Sequence, residues 1–233
     1  MVMRAARARS RRRRTVRILR WLALLVLGYY ALCTLGLLYL RFLPPLITMV
    51  QLQQRLESLG DPGRTPMRYT YVPRRRISNH LAHAVVAAED ARFYRHHGID
   101  WEGVRDAMED NLERGRVWRG GSTITQQLVK NLFLGTYGSV LRKAVEAPLA
   151  LLAEVVLTKN RILELYLNVV EWGPAVYGAE AASRHHYGIP ASALNREQSA
   201  RLAACLPAPR SRTPQRMDRY SRIILKRMAA MGW

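Results

Sequence analysis

Apolar positions recur along this chain in two ways, first as an unbroken run and then at helical spacing. From Trp21 to Leu40 there is no charge, and only Gly28, Tyr29, Tyr30, Thr34, Gly36 and Tyr39 interrupt the apolar residues. Twenty such residues match the hydrocarbon thickness of a bilayer, which predicts one membrane-spanning helix. Leu46 to Leu59 is amphipathic and ends at Gly60-Asp61-Pro62-Gly63. Arg68 to Val72 alternates Tyr and Thr with other residues and predicts a short strand closed by Pro73.

Beyond Ile77 the helical period prevails. Ser78 or Asn79 can cap a helix that turns Leu81, Val85 and Ala88 inward, with Gly98 as its stop. Helices then follow from Trp101 to about Arg114, and from the Gly120-Gly121 pair onward. Ser139 to Leu157 is apolar enough to predict the central buried helix. Thr158 caps Arg161 to Val170, and Ala175 to Tyr187, Asn195 to Leu206 and Met217 to Met231 complete the set. The fold class read from this pattern is mainly α with little β, one domain preceded by a single N-terminal transmembrane helix.

Charge changes the picture at the N-terminus. The formal net charge is +20, half of it from ten arginines in the first 41 residues, where there is no acid. An arginine arm could serve nucleic acid. Placed directly before a spanning segment, it instead fits the positive-inside rule, with a cytoplasmic N-terminus and the remainder outside. Arg-Phe-Leu-Pro-Pro after the apolar run offers no small-residue cleavage site, so an uncleaved anchor is expected. The rest of the chain is also basic and favours anionic partners such as headgroups or diphosphates. Cys33 lies in the anchor and Cys205 is alone beyond it, so no disulfide staples the domain.

Four blocks carry candidate chemistry. Glu89-Asp90 closes an apolar stretch, where an acid is exposed, paired or employed; a carboxyl among apolar neighbours gains the raised pKa of a general base. A surface Glu89–Arg92 pair would explain the same residues. Gly120-Gly121-Ser122-Thr123-Ile124-Thr125-Gln126-Gln127 crowds short polar groups at a helix start. First-turn amides there could serve as anion donors, with Thr123, Gln126 or Gln127, and Lys130 on neighbouring parts of one face. A well-capped surface helix reads alike. Arg142-Lys143-Ala144-Val145-Glu146 adds a second carboxylate, which a plain Arg142–Glu146 pair would also explain. Lys159 to Asn168 opens a further helix. Among 37 basic residues only Lys130, Lys143, Lys159 and Lys226 are lysines, and three of them sit in these blocks.

Taken together and in this order, the blocks resemble the peptidoglycan glycosyltransferases, the family shared by monofunctional transglycosylases and the N-terminal halves of bifunctional penicillin-binding proteins. The resemblance rests on Glu-Asp-x-x-Phe-x-x-His-x-Gly at Glu89 to Gly98, Gly-x-Ser-Thr-Ile-Thr-Gln-Gln at Gly120 to Gln127, Arg-Lys-x-x-Glu at Arg142 to Glu146, and Lys-x-x-Ile-Leu-Glu-x-Tyr-Leu-Asn at Lys159 to Asn168. Val176 to Ser183 and Leu206-Pro207-Ala208-Pro209 extend it, for a coverage of roughly Tyr69 to Pro209. Gly138 departs from it, standing where many members carry arginine.

The resemblance implies a lysozyme-like helical domain at 69–233, after a basic cytoplasmic segment (1–20), an anchor (21–43) and a linker (44–68). It implies polymerisation of lipid II into β-1,4 glycan with inversion and release of undecaprenyl diphosphate, at a bacterial inner membrane. Glu89 is then the expected base. Lys130 and Arg142 are expected to face the diphosphate, and Glu146 to hold a divalent cation, expected to be Mg²⁺, or to position the acceptor. Ser122, Thr123, Gln126 and Gln127 are expected to orient sugar and phosphate oxygens, with Asp90 and His96 in support and Phe93 as packing. A loop from Arg114 to Arg119, tipped by Val117-Trp118, is expected near the bilayer. Expected partners are lipid II, the growing strand, membrane lipid and division or elongation proteins, with no nucleic acid. Competing readings are a lysozyme-like lytic enzyme and a non-catalytic wall scaffold. A bifunctional enzyme is not expected at this length, and neither Ser-x-x-Lys nor Lys-Thr-Gly occurs. Zinc is disfavoured because no His-Glu-x-x-His exists.

Overall fold

The computed structural model describes residues 2–60, 63, 65–113, 121–135 and 140–233. Gly120, Gly138 and the expected bilayer loop lie outside the described residues. The elements, in order, are α1 (Val2–Phe42), α2 (Met49–Leu59), β1 (Arg68–Tyr69), α3 (Asn79–Glu89), α4 (Trp101–Glu113) and α5 (Ile124–Val129). They continue with α6 (Val140–Val156), α7 (Lys159–Val169), β2 (Glu171–Gly173), β3 (Val176–Tyr177), α8 (Ala179–Tyr187), α9 (Arg196–Ala203) and α10 (Asp218–Ala230). The fold is mainly helical, as its periodicity predicts.

Caps account for most helix starts. Ser78, Thr123, Thr158 and Asn195 each accept a hydrogen bond from a first-turn amide, so the predicted start signals act as such. The ends differ more. α3 stops at Glu89 rather than Gly98, because Asp90 leaves helical geometry (φ −157°) and its carboxylate is drawn into other bonds. Gly98 serves another purpose. It has φ +87°, and a Cβ there would stand 2.9 Å from the carbonyl oxygen of Ala150, so the glycine lets the loop press against α6.

α6 is not the central buried helix that its apolar sequence predicts. Leu149, Ala150 and Ala153 face inward, but Leu151 and Val155 are exposed, the latter by 83%. The enclosed helix is α7, where Ile162, Leu163 and every residue from Leu165 to Val169 are buried. Fully burying an aliphatic or aromatic side chain stabilises by about 1.5–3 kcal/mol, so α7 contributes heavily to the core.

The strand expected at Arg68 to Val72 shortens to two residues. It pairs in parallel with β3, which pairs antiparallel with β2 in a small three-stranded sheet. Asn168 explains the shortening. Its side chain accepts from Val72 N and donates to Val72 O, both at 2.9 Å, and so takes the place of a neighbouring strand.

The anchor helix reaches into the domain. α1 includes a 30-residue stretch, Arg13–Phe42, long and apolar enough to cross a membrane. Its last turns nevertheless bury Cys33, Leu37 and Leu40 in the same apolar cluster as α3, α5 and α7. Arg161 of α7 donates to the carbonyls of Leu40 (2.7 Å) and Leu43 (2.6 Å), capping the helix end with a cation.

Candidate active site

The end of α3 and the start of α5 meet through Asp90. Its carboxylate, 5% exposed, hydrogen-bonds His96 Nε2 at 2.9 Å and accepts from Ile124 N at 3.0 Å. A protein carboxylate therefore occupies the anion position at the start of α5. Thr123 and Gln126 close this turn on itself. Thr123 Oγ1 accepts from Gln126 N and donates to the Gly98 carbonyl, while Gln126 Oε1 accepts from Thr123 N. The side-chain oxygens of Thr123 and Gln126, expected to orient a ligand's oxygens, are engaged in the cap here, although Thr123 also borders the cavity described below. Thr123 and Gln126 form a buried capping box, and the polar groups that define it face inward.

Glu89 and Gln127 are left facing outward. Both line a cavity of about 660 Å³ shared with Ser122, Arg92, Tyr220 and Arg227. Gln127 Nε2 donates to Glu89 Oε2 at 2.8 Å, and the hydroxyl of Tyr166 donates to Gln127 Oε1 at 2.9 Å. Burial pushes the Glu89 pKa up. The Gln127 hydrogen bond and the positive charges of Lys130 and Arg212 oppose that rise, and Asp90 adds to it. The surface pair with Arg92 does not form: Arg92 instead ties Asp100 and Asp106, each at 2.9 Å.

A second carboxylate sits among cations. Glu146, on α6, is 1% exposed, with Lys143 Nζ at 2.5 Å from Oε1 and Arg142 Nε at 4.0 Å from Oε2. Lys143 also donates to Ser122 Oγ at 2.7 Å, which links this cluster to the cavity wall. After Val129 the helix continues as a single turn of π-helix, Lys130–Leu134, a form that widens the backbone and recurs at functional sites. Lys130, its first residue, is half-buried. Burial lowers its pKa, Glu146 and Glu89 pull it back up, and Arg142 and Lys143 push it down.

The predicted residues therefore divide. Glu89, Asp90, Ser122, Thr123 and Gln127 line the cavity, whereas Lys130, Arg142 and Glu146 form an adjoining cationic cluster outside that lining. Lys130 lies close enough to both carboxylates to feel their charge. Phe93 is fully buried beneath Lys159, 4.4 Å from the ring centroid, and packs as expected. His185 and His186 bind nothing in common with His96 and His97; among the described residues no group of three metal-ligating side chains assembles.

Sequence reasoning gave no role to Lys143, Tyr166, Tyr220 or Arg227. The scarcity of lysine pointed toward Lys143, and Tyr166 stood in the Lys159 to Asn168 motif without a role of its own. For Tyr220 and Arg227 on α10 no local signal exists, because only the return of the chain to α3 brings them to the cavity.

Comparison with known proteins supplies the context. Residues 55–229 match the family described as Transglycosylase. A biosynthetic peptidoglycan transglycosylase of Nitrosospira multiformis is 49% identical over 184 residues, covering 77% of this chain and 80% of the relative. Proteins of the same name from Dechloromonas aromatica (44% over 230 residues, 91% and 96% coverage) and Laribacter hongkongensis (45% over 225 residues, 91% and 97%) are similar along nearly their whole length.

Proposed function

Because the chain belongs to the transglycosylase family and is a peptidoglycan glycosyltransferase, we propose that the Glu89 cavity holds the acceptor sugar and the Glu146 cluster faces the donor's diphosphate. The observation that carries this reading is a partly desolvated carboxylate beside a group of cations, joined through Ser122. Lipid II and the growing glycan strand are the substrates.

In the proposed step the acceptor's GlcNAc 4-hydroxyl attacks the anomeric carbon of the donor MurNAc. Its proton passes to Glu89, a C–O bond forms on the β face, and the α-linked undecaprenyl diphosphate departs with the bonding pair. Inversion by one displacement needs a base on one side and leaving-group stabilisation on the other. Diphosphate leaves without protonation when cations meet its charge, a role for Lys130, Lys143 and Arg142. Asp90 and His96 support Glu89 by fixing the turn that ends α3.

A divalent cation would be an adjunct here, held by Glu146 against the positive charge of Lys143 and Arg142. Glu146 Oε2 is buried and has no hydrogen-bond partner among the described residues, which suits one carboxylate ligand to Mg²⁺. Magnesium commonly takes its other ligands from phosphate and water. Bound there, it would supply further positive charge against the diphosphate.

The anchor places enzyme and lipid substrates on one surface, which raises their effective concentration. We infer a cytoplasmic N-terminus in the inner membrane from the arginines before the apolar run, with the domain at 69–233 on the periplasmic side. Division or elongation proteins are the expected company for such an enzyme.

The test is product type. Purified full-length protein in detergent with lipid II and Mg²⁺ should yield a glycan polymer and free undecaprenyl diphosphate. Fragments from finished wall, with no polymer from lipid II, would establish the lytic reading instead.

A further inference from the structure

Tyr166 has a hydroxyl that packing does not require. The side chain is 0% exposed in the core of α7, where phenylalanine would fill nearly the same space without burying a polar group. Among the described residues its hydrogen-bond partner is Gln127 Oε1. Gln127 in turn spends its amide on Glu89 Oε2, and no hydrogen bond among the described residues reaches Glu89 Oε1.

We propose that Tyr166 is a positioning residue: its hydroxyl holds the Gln127 carboxamide in the orientation that binds Glu89 Oε2, which leaves Oε1 as the oxygen that takes the acceptor's proton. The inference rests on the reading of Glu89 as the base. A carboxamide has two near-equivalent orientations, and they differ here by the sign of the dipole turned toward Glu89. With nitrogen toward the carboxylate, the ionised base is stabilised. With oxygen toward it, the ionised base is repelled and the protonated, inactive form can donate a hydrogen bond. A hydroxyl that donates to Oε1 selects the first. Tyr166 is suited to remain a donor, since burial and the charges of Glu89 and Asp90 raise its pKa well above the ordinary phenol value.

The other charged groups around Glu89 come from several elements. Asp90 follows it on the chain, Lys130 lies at the end of α5, Arg212 precedes α10, and Arg227 of α10 and Arg92 share the cavity wall. Asp90 raises the Glu89 pKa while Lys130 and Arg212 lower it. None of these bonds the Gln127 carboxamide in the structure, so removing the Tyr166 hydroxyl isolates the amide's contribution.

The experiment measures kcat/KM for lipid II polymerisation against pH with full-length wild type, Tyr166→Phe, Gln127→Met, the double variant and Glu89→Gln. In Tyr166→Phe the acid limb should move upward by about half to one pH unit, with an activity loss of about three- to tenfold below that limb and recovery above it. Gln127→Met should shift the limb in the same direction, and the double variant should be no worse than Gln127→Met alone, because both changes cut one relay. A Tyr166→Phe loss that is equal at all pH values, or that adds to the Gln127→Met loss, would overturn the relay and leave Tyr166 as packing. An unshifted profile would overturn it too. If Glu89→Gln stays fully active, the base assignment itself has failed, a result that neither Tyr166→Phe outcome can imitate.

Discussion

Glu89 and Glu146 are both withdrawn from water, yet their surroundings are opposite. Glu89 faces a carboxamide, the neighbouring Asp90 and a cavity, with positive charge only at a distance. Glu146 is gripped by Lys143, with Arg142 beside it and Lys130 within electrostatic reach. The contrast teaches how one fold obtains two functions from one residue type. A buried carboxylate held in contact by a neutral amide is poised to accept a proton, whereas one in contact with a cation holds that cation in place. Substitutions at Glu89, Glu146 and Lys130 test that contrast, beginning with the largest effect.

Glu89→Gln should reduce polymerisation by about 10²–10⁴-fold, the usual worth of a general base. Its stability should move the other way. The folded pKa of Glu89 lies above its ordinary value of 4.5, so between the two the folded state holds more protons than the unfolded one. Stability is then lost as pH rises through that window, and a neutral glutamine escapes the loss. Thermal unfolding at neutral pH should give a melting temperature for Glu89→Gln equal to or above wild type. A marked fall would place Glu89 among the structural ion pairs.

Glu146→Gln should show the reverse balance. It removes the carboxylate charge that Lys143 contacts at 2.5 Å and should cost about 1–3 kcal/mol, less than a wholly buried pair because Lys143 is half exposed. On the proposed reading, activity should fall by about ten- to a hundredfold, because the cations that meet the diphosphate lose the carboxylate that holds them. Calorimetry beside the polymerisation assay separates the two effects. A Glu146→Gln protein as stable as wild type would erase the distinction between the two acids.

The alkaline side of the rate profile sharpens the comparison from the cationic partner. Burial lowers the pKa of Lys130, so its charge should disappear below the ordinary lysine range and the rate should fall there. Arginine keeps its charge to about pH 12 or beyond, so Lys130→Arg should remove this limb even where its overall rate drops a few-fold. An unchanged limb in Lys130→Arg would assign that titration to another group.

How far the sequence foretold this arrangement depends on the range over which each feature is determined. Helix starts were legible because a cap is a contact over three residues, as at Thr123 and Asn195. The end of α3 was not, because Asp90 leaves the helix to serve His96 and a distant α5 amide. The blocks that build the candidate site were legible as residue types, but the direction of each side chain was not. Gln126 and Gln127 are neighbours in one motif, and only their helical phase turns one into the cap and the other toward Glu89. The burial of α7 and the approach of α10 depend on tertiary packing that periodicity cannot assign. The exposed side of α6 shows the converse, since its apolar residues predicted burial in protein where Leu151 and Val155 stay exposed.

The smallest effect concerns Thr123, where two roles would leave different traces. Its side chain accepts from Gln126 N and donates to the Gly98 carbonyl, so its hydrogen bonds serve the cap. Thr123→Ala should cost about 1 kcal/mol, the typical value for a lost cap, and lower the melting temperature by about 2–4 °C. Thr123→Ser keeps the capping oxygen and should restore most of that loss. A residue that bound substrate would instead raise KM for lipid II, by about tenfold for a loss of 1.4 kcal/mol, with the melting temperature little changed. The cap carries the helix that presents Gln127, so a small fall in kcat with constant KM is the expected signature. A large rise in KM would return Thr123 to the substrate and make the inward closure of this turn a feature of the unliganded protein alone.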